Sequence, residues 1–293
     1  MSDLALSIGA ALEIKALAAT SLAKLAPASA GHAFARRGVA RPIDYMRYAE
    51  FEAMLRDLDM YPELSLLDVS SPQWFTILLA HRFPRCTFHY TNIIDSELDP
   101  FREIGRALSL ENLVYEKADV RKLAYGDASF DRVISISVLE HVYPEVGGDV
   151  AAMQEIRRVL KPGGRLVLTV PFKSVRNIVF KDDEVYERRE RTRNFFAREY
   201  DAAMFQELVV TSGMTPSEAW LICERSGMFA LDYYEWGPGK DNPAGKVANR
   251  IRRLAERAMG RSFDQTLAAR YLDVSRAQTG RLVNIAVALS RQP

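Results

Sequence analysis

Four short stretches concentrate the side chains able to do chemistry. Asp68-Val69-Ser70-Ser71-Pro72 sets a carboxylate before small residues, where a ligand can approach the backbone and an anion can meet free helix-start amides. Asn92-Ile93-Ile94-Asp95 offers polar groups suited to the hydroxyls of a ribose. Ala118-Asp119-Val120 pairs a carboxylate that can accept from an exocyclic amine with an apolar neighbour for the ring face. Val138-Leu139-Glu140-His141-Val142 carries an imidazole, a general base near neutral pH, beside a carboxylate. An acid ending a strand is as often a helix cap or surface group, and His141 equally suits capping or packing of the helix that follows. Cys86 and His89 lie close, but three residues apart on a strand they face opposite ways. No other Cys/His pair has ligand spacing, so no metal is expected.

The elements around these stretches alternate. Tyr45 to Leu58 carries apolar residues at helical spacing. Ser65 to Val69 is a short apolar run suited to a buried parallel strand. A helix over Trp74–Phe83, a strand over Thr87–Ile94, a helix over Asp99–Leu108 and a strand over Leu113–Lys117 follow. Arg132–Ser137 and Arg165–Val170 read as strands flanking a helix over Val150–Leu160. Later come a helix over Tyr200–Val210 and strands over Ser217–Cys223 and Leu282–Ser290. This rhythm predicts an α/β fold: a Rossmann-like, doubly wound, mostly parallel seven-stranded sheet with helices on both faces. In such sheets ligands bind beyond the carboxyl ends of the strands, where the four stretches fall.

Ser129-Phe130-Asp131 leads into the fourth strand and then Leu139-Glu140-His141. Glu155 and Arg158-Val159-Leu160-Lys161-Pro162-Gly163-Gly164 lead into the fifth, which ends at Val170-Pro171-Phe172. From Leu66 to Phe172 the chain resembles the class I, Rossmann-like S-adenosylmethionine-dependent methyltransferases, notably the small-molecule group that includes the ubiquinone and menaquinone biosynthesis enzymes. The resemblance implies S-adenosylmethionine as cofactor, held by Asp68, Val69, Ser70, Ser71, Pro72, Asn92, Asp95, Asp119, Val120 and Ser135. It implies a small-molecule acceptor, with His141 as base and Glu140 as an orienting or cofactor-adjacent group. Two departures stand out. The family carries Gly-x-Gly where this chain has Ser70-Ser71-Pro72, removing φ > 0 freedom and narrowing the approach to the backbone. The family's ribose-binding acid falls at Asn92, with Asp95 as a stand-in.

The flanks carry no such resemblance. Residues 1–44 read as an N-terminal helical segment and linker, and 45–293 as the main domain, with a solvated helix or lid at 173–200 and an insertion or cap at 225–280. Leu4 to Leu25 is rich in Ala and Leu but broken by Glu13, Lys15 and Lys24. It suits a helix packed on its own domain, on a second subunit, or on a membrane surface. Pro27 to Gly38 reads as the linker after it. Tyr186, Phe195, Phe196, Tyr233, Tyr234 and Trp236 are candidates for an apolar acceptor pocket or for ordinary core. The basic stretch holding Lys246, Arg250, Arg252, Arg253, Arg257 and Arg261 suits a solvated face or an anionic acceptor.

The 293 residues carry 39 basic and 38 acidic side chains, a near-balance unlike that of a nucleic-acid binder. Two distant cysteines suit free thiols in the cytoplasm. No Gly-x-Gly-x-x-Gly follows the first strand, which disfavours a nicotinamide-dependent oxidoreductase. Two functional readings stay open: a methyltransferase acting on a small, lipid-linked or sugar acceptor, or a catalytically silent relative kept as a binding or scaffold module.

Overall fold

The structure, a computed structural model, describes residues 4–182, 185–186, 193–225 and 262–292. Three helices precede the first strand: α1 (Ala5–Lys24), α2 (Ala30–Ala40) and α3 (Tyr45–Asp57). The alternating part follows as β1 (Ser65–Val69), α4 (Gln73–Arg82), β2 (Thr87–Asn92), α5 (Asp99–Ala107) and β3 (Leu113–Lys117). It continues through β4 (Phe130–Ile136), α6 (Gly148–Val159) and β5 (Leu160–Pro171). Then come β6 (Asn177–Lys181), β7 (Asn194–Glu199), α7 (Ala202–Ser212), β8 (Thr215–Glu224), α8 (Phe263–Tyr271), β9 (Leu272–Ser275) and β10 (Arg281–Ser290).

The main sheet has strand order β3-β2-β1-β4-β5-β10-β8-β9. The five strands from β3 to β5 run parallel, and β10 enters antiparallel between β5 and β8. The sheet is therefore the expected one with an eighth strand added. That strand, β9, pairs with β8 at the edge through Val274 opposite Ile222, and its four residues give too short an alternation to read from sequence.

Each central strand alternates between two cores. Leu66, Phe88 and Ile134 point to the side covered by α1 to α5, while Leu67, Val133 and Leu168 point to the side covered by α6 and α7. A fully buried side chain such as Phe75 or Leu78 contributes about 1.5–3 kcal/mol. The Lys-Pro-Gly-Gly segment turns α6 into β5. Gly163 takes φ +75°, and a Cβ on Gly164 would lie 2.8 Å from the Lys161 carbonyl oxygen, so both positions need glycine.

Two expected stretches fold differently. Pro27–Gly38 is not a linker: the Ser29 hydroxyl accepts from the His32 amide at 3.1 Å and starts α2. Lys173–Arg198 is not a solvated helix where it is described, because β6 and β7 form a separate antiparallel pair there. The apolar run Ile178-Val179-Phe180 of β6 is short and is flanked by Lys173, Arg176 and Lys181. Helix α1 buries Ala10, Ala11, Ile14 and Ala18 against the domain and leaves Leu6 and Leu12 exposed. By length and composition it is the one helix among the described residues apolar enough to cross a membrane, with 39% of that window buried in the protein.

Candidate active site

The strand order reverses at β1, whose two neighbours are β2 and β4. A cleft of about 230 Å³ opens there, over the carboxyl ends of β1 to β4. Of the residues singled out in the sequence, Ser70, Asn92, Asp119, Val120 and His141 line it. Tyr186, singled out for an acceptor pocket, also lines it, and Gln73, Glu97, Arg121 and Ser137 join them.

The first loop spends its polar groups on itself. Asp68 is fully buried, and its carboxylate accepts from the Ser71 amide at 2.8 Å and from the Thr76 hydroxyl. Burial pushes its carboxyl up to about 6, against the hydrogen bonds that favour the charged form. The Ser71 hydroxyl accepts from the Ile136 amide at 3.0 Å, tying the loop to β4. Ser70 faces the cleft with φ +61° and donates its hydroxyl to the Thr91 carbonyl at 2.8 Å. Asp68, Val69 and Ser71 thus lie behind the cleft wall, and Pro72 lines a neighbouring cavity.

In the second loop the Asn92 side chain accepts from the Ile94 amide at 2.8 Å and donates to Glu97 at 3.1 Å. Glu97 therefore supplies the acid of this loop inside the cleft. Asp95 points elsewhere and pairs with Arg102 at 2.8 Å. In the third loop Asp119 lines the cleft beside Val120, but the Arg121 guanidinium grips both its oxygens. Those hydrogen bonds hold the Asp119 carboxyl below the usual carboxylate range. Arg121 sits two residues from Asp119, yet nothing in the spacing of charges distinguishes a gripping arginine from a solvated one.

The fourth loop is the most elaborately held. Ser137 adopts φ +51°, and residues 139–141 form one 3-10 turn that aims His141 at the cleft. His141 Nδ1 lies 2.7 Å from the Phe196 carbonyl oxygen, which can only accept, so Nδ1 carries the proton. Burial holds the imidazole below its usual range, leaving it neutral, with Nε2 at 3.8 Å from Glu140 Oε1. The Tyr186 and Phe196 rings flank it at 5.6 and 4.8 Å. Phe195 is buried, whereas Tyr233, Tyr234, Trp236 and the basic stretch from Lys246 to Arg261 lie outside the described residues.

Two residues that hold this loop, Arg198 and Glu50, carry no sequence signal. Arg198 on β7 is fully buried, donates to the carbonyls of Val142 at 2.9 Å and Glu140 at 3.3 Å, and pairs with Asp149 at 3.3 Å. Glu50 on α3 is fully buried under the cleft floor. It accepts from Ser137 at 2.5 Å, Thr169 at 2.7 Å and Asn284 at 2.8 Å, and pairs with Arg47. Glu140 sits behind His141, also buried, with Oε2 lacking any hydrogen-bond partner. Burial pushes its carboxyl up to about 8, the nearby Glu50 adding to the effect. Ser135 is likewise buried on β4, its hydroxyl unpartnered, and does not reach the cleft.

Residues 67–168 match the family model described as a methyltransferase domain. YafE of Escherichia coli (strain K12) is 32% identical over 106 residues, 35% of this chain and 49% of that protein. The methyltransferase GfsG of Streptomyces halstedii is 31% identical over 118 residues, 40% of this chain and 41% of that one. The chain thus spans less than half the length of these relatives. Among solved structures, the [4+2]-cyclase SpnF superposes with a TM-score of 0.53 at 16% identity, covering 84% of this chain and 80% of that one. Coclaurine N-methyltransferase, bound to N-methylheliamine and S-adenosylhomocysteine, gives 0.52 at 16% identity, covering 82% and 71%. At that identity the likeness shows a shared fold. Residues 67–168 are thus similar to a methyltransferase domain, and the chain carries the fold of these structures.

Proposed function

We propose that this protein transfers a methyl group from S-adenosylmethionine to a small-molecule acceptor. The observation that carries the reading is the cleft itself. It gathers Ser70, Asn92, Glu97, Asp119, Val120 and His141 at the reversal of strand order. The donor set suits the group: Asn92 and Glu97 for ribose hydroxyls, Val120 for the adenine face, and Asp119 for its amine once Arg121 yields an oxygen. When bound, the sulfonium supplies an electrophilic methyl group. His141, neutral and Nδ1-protonated, holds its Nε2 lone pair ready to take a proton from an acceptor hydroxyl or amine. Arg198 and the Phe196 carbonyl keep the imidazole oriented, and the Tyr186 ring packs edge-on against it. The likeness of Leu66–Phe172 to the quinone-biosynthesis group favours a small acceptor, lipid- or sugar-linked. The two unpaired cysteines favour the cytoplasm, and α1 is available for a membrane surface or a second copy.

Calorimetry with S-adenosylmethionine and S-adenosylhomocysteine tests the reading, and absence of binding at millimolar ligand overturns it. A second reading, a binding or scaffold module without methyl transfer, is favoured by one observation: Arg121 already occupies both oxygens of Asp119. The fold also accommodates other chemistry, since one neighbour is named for a [4+2] cyclisation. Binding of both ligands without turnover of any acceptor would support it.

A further inference from the structure

Arg121 does more than grip Asp119. Its main-chain amide and its Nε donate to Asp119 Oδ1 at 2.9 Å, and Nη2 donates to Oδ2 at 2.5 Å. The other arm, Nη1, donates to the Tyr143 carbonyl oxygen at 2.5 Å. One guanidinium therefore joins the loop after β3 to the turn after β4, and Asp119, Arg121 and Tyr143 all line the cleft.

We propose that Arg121 is an autoinhibitory strap: a ligand amine that takes Asp119 must draw the guanidinium off it, and that release also frees the Tyr143 turn on the acceptor side of the cleft. The proposal deepens the function proposed above and rests on it for the ligand at Asp119.

The two ends of the strap are held unequally. The turn at 142–145 packs on β7, where the fully buried Arg198 donates to the carbonyls of Val142 at 2.9 Å and Glu145 at 3.2 Å, and to that of Pro144. The Tyr143 carbonyl between them goes to Arg121 instead. Arg198 is a fixed hold from beneath, whereas the Arg121 side chain is 30% exposed and its Asp119 partner 33%, so this pair can open without stranding a buried charge.

Donor strength decides what opening costs. A carboxylate gripped by a guanidinium is satisfied by charge-assisted bonds, and a neutral exocyclic amine is a weaker donor. The strap therefore subtracts from affinity for an amino-bearing base, while a base with an oxo group in that place does not compete for Asp119. At the other end, Tyr143 lies two residues beyond His141, whose ring is anchored separately through the Phe196 carbonyl. The strap can thus open without moving the imidazole. Filling the base end of the cleft loosens the acceptor end, and the nucleoside enters first.

Calorimetry of S-adenosylhomocysteine and its 6-oxo analogue S-inosylhomocysteine, on wild type and Arg121→Ala, tests the competition. Arg121→Ala should tighten S-adenosylhomocysteine about tenfold and should not tighten the analogue. Hydrogen exchange tests the coupling, because the Val142 and Gly148 amides, bonded to the Leu139 and Pro144 carbonyls, bracket the turn. Both should exchange faster in ligand-free Arg121→Ala than in ligand-free wild type, and S-adenosylhomocysteine should speed them in wild type alone. Weaker S-adenosylhomocysteine binding by Arg121→Ala would make the guanidinium a ligand contact and overturn the proposal. Equal tightening of both nucleosides, or exchange indifferent to the variant, overturns it as well and leaves the proposed function standing. If wild type binds neither nucleoside, the proposed function falls, and the ligand-free exchange alone then decides whether Arg121 straps the turn.

Discussion

The Ser137 hydroxyl donates to Glu50 Oε1 at 2.5 Å, joining the end of β4 to a helix 87 residues earlier in the chain. With Thr169 and Asn284 on the same carboxylate, α3 becomes the clamp on the floor of the cleft. Glu50→Ala leaves Arg47 and three other donors without their acceptor, and should destabilise the protein by about 3–5 kcal/mol. Glu50→Gln keeps the oxygen that Ser137, Thr169 and Asn284 share and loses only the one facing Arg47, and should cost less. Urea denaturation of the two variants checks the order, and equal midpoints would discard the clamp.

His141 should titrate below the ordinary imidazole range of about 6.5 and stay Nδ1-protonated when neutral. Because the folded value is depressed, its contribution to stability is present at neutral pH and is lost as pH falls through that value. Nitrogen NMR of the labelled imidazole reads both properties. His141→Gln should lower methyl transfer by about 10²–10⁴-fold while leaving S-adenosylhomocysteine affinity in place. Unchanged turnover would reduce His141 to a packing residue.

Glu140 sets a second pH dependence. Its folded carboxyl is pushed up to about 8 from 4.5, so the neutral form is the one the fold accepts. That stability is complete below the unfolded value and drains away as pH rises through about 8. Wild type should therefore lose on the order of a few kcal/mol between pH 5 and pH 9 through this group. Glu140→Gln, which cannot ionise, should show a flatter profile in denaturation at the two pH values. Parallel profiles would mean that the carboxyl is hydrated.

Ser70 holds φ +61° without being glycine. Ser70→Gly removes the left-handed strain, worth about 1 kcal/mol, but loses the hydroxyl bond to Thr91. The two effects should nearly cancel in stability. Affinity for S-adenosylhomocysteine should rise, because the loop then has room for a ligand against its backbone. Calorimetry on the variant gives the comparison, and a fall in affinity would show that the hydroxyl itself is a contact.

The parallel half of the sheet was legible because β1 to β5 are short apolar runs separated by helices at every step except that from β3 to β4. The hairpin β6–β7 was not, since Lys173–Arg198 reads as a run of charge until Arg198 is seen buried against the carbonyls of the fourth loop. The strand-end loops pointed to the cleft, and Ser70, Asn92, Asp119, Val120 and His141 line it. Which of their atoms remain free was illegible, because the partners come from far away. Glu50 lies 119 residues from Thr169 and 234 from Asn284, and no local pattern encodes such pairings. Glu97 was overlooked for a simpler reason: Asp95 stood nearer the strand end, but its carboxylate turns to Arg102 instead.

The position of β10 also governs when the fold can exist at all. It slots between β5 and β8, both of which leave the ribosome before it. Until Leu282–Ser290 emerges, each of those strands presents an open edge, and Glu50 lacks its Asn284 donor. The nascent chain must therefore carry both unpaired sheet edges from the emergence of β8 until that of β10, a state prone to pairing with other chains. Release of β10, rather than completion of the alternating half, is the event that closes the sheet and assembles the cleft floor.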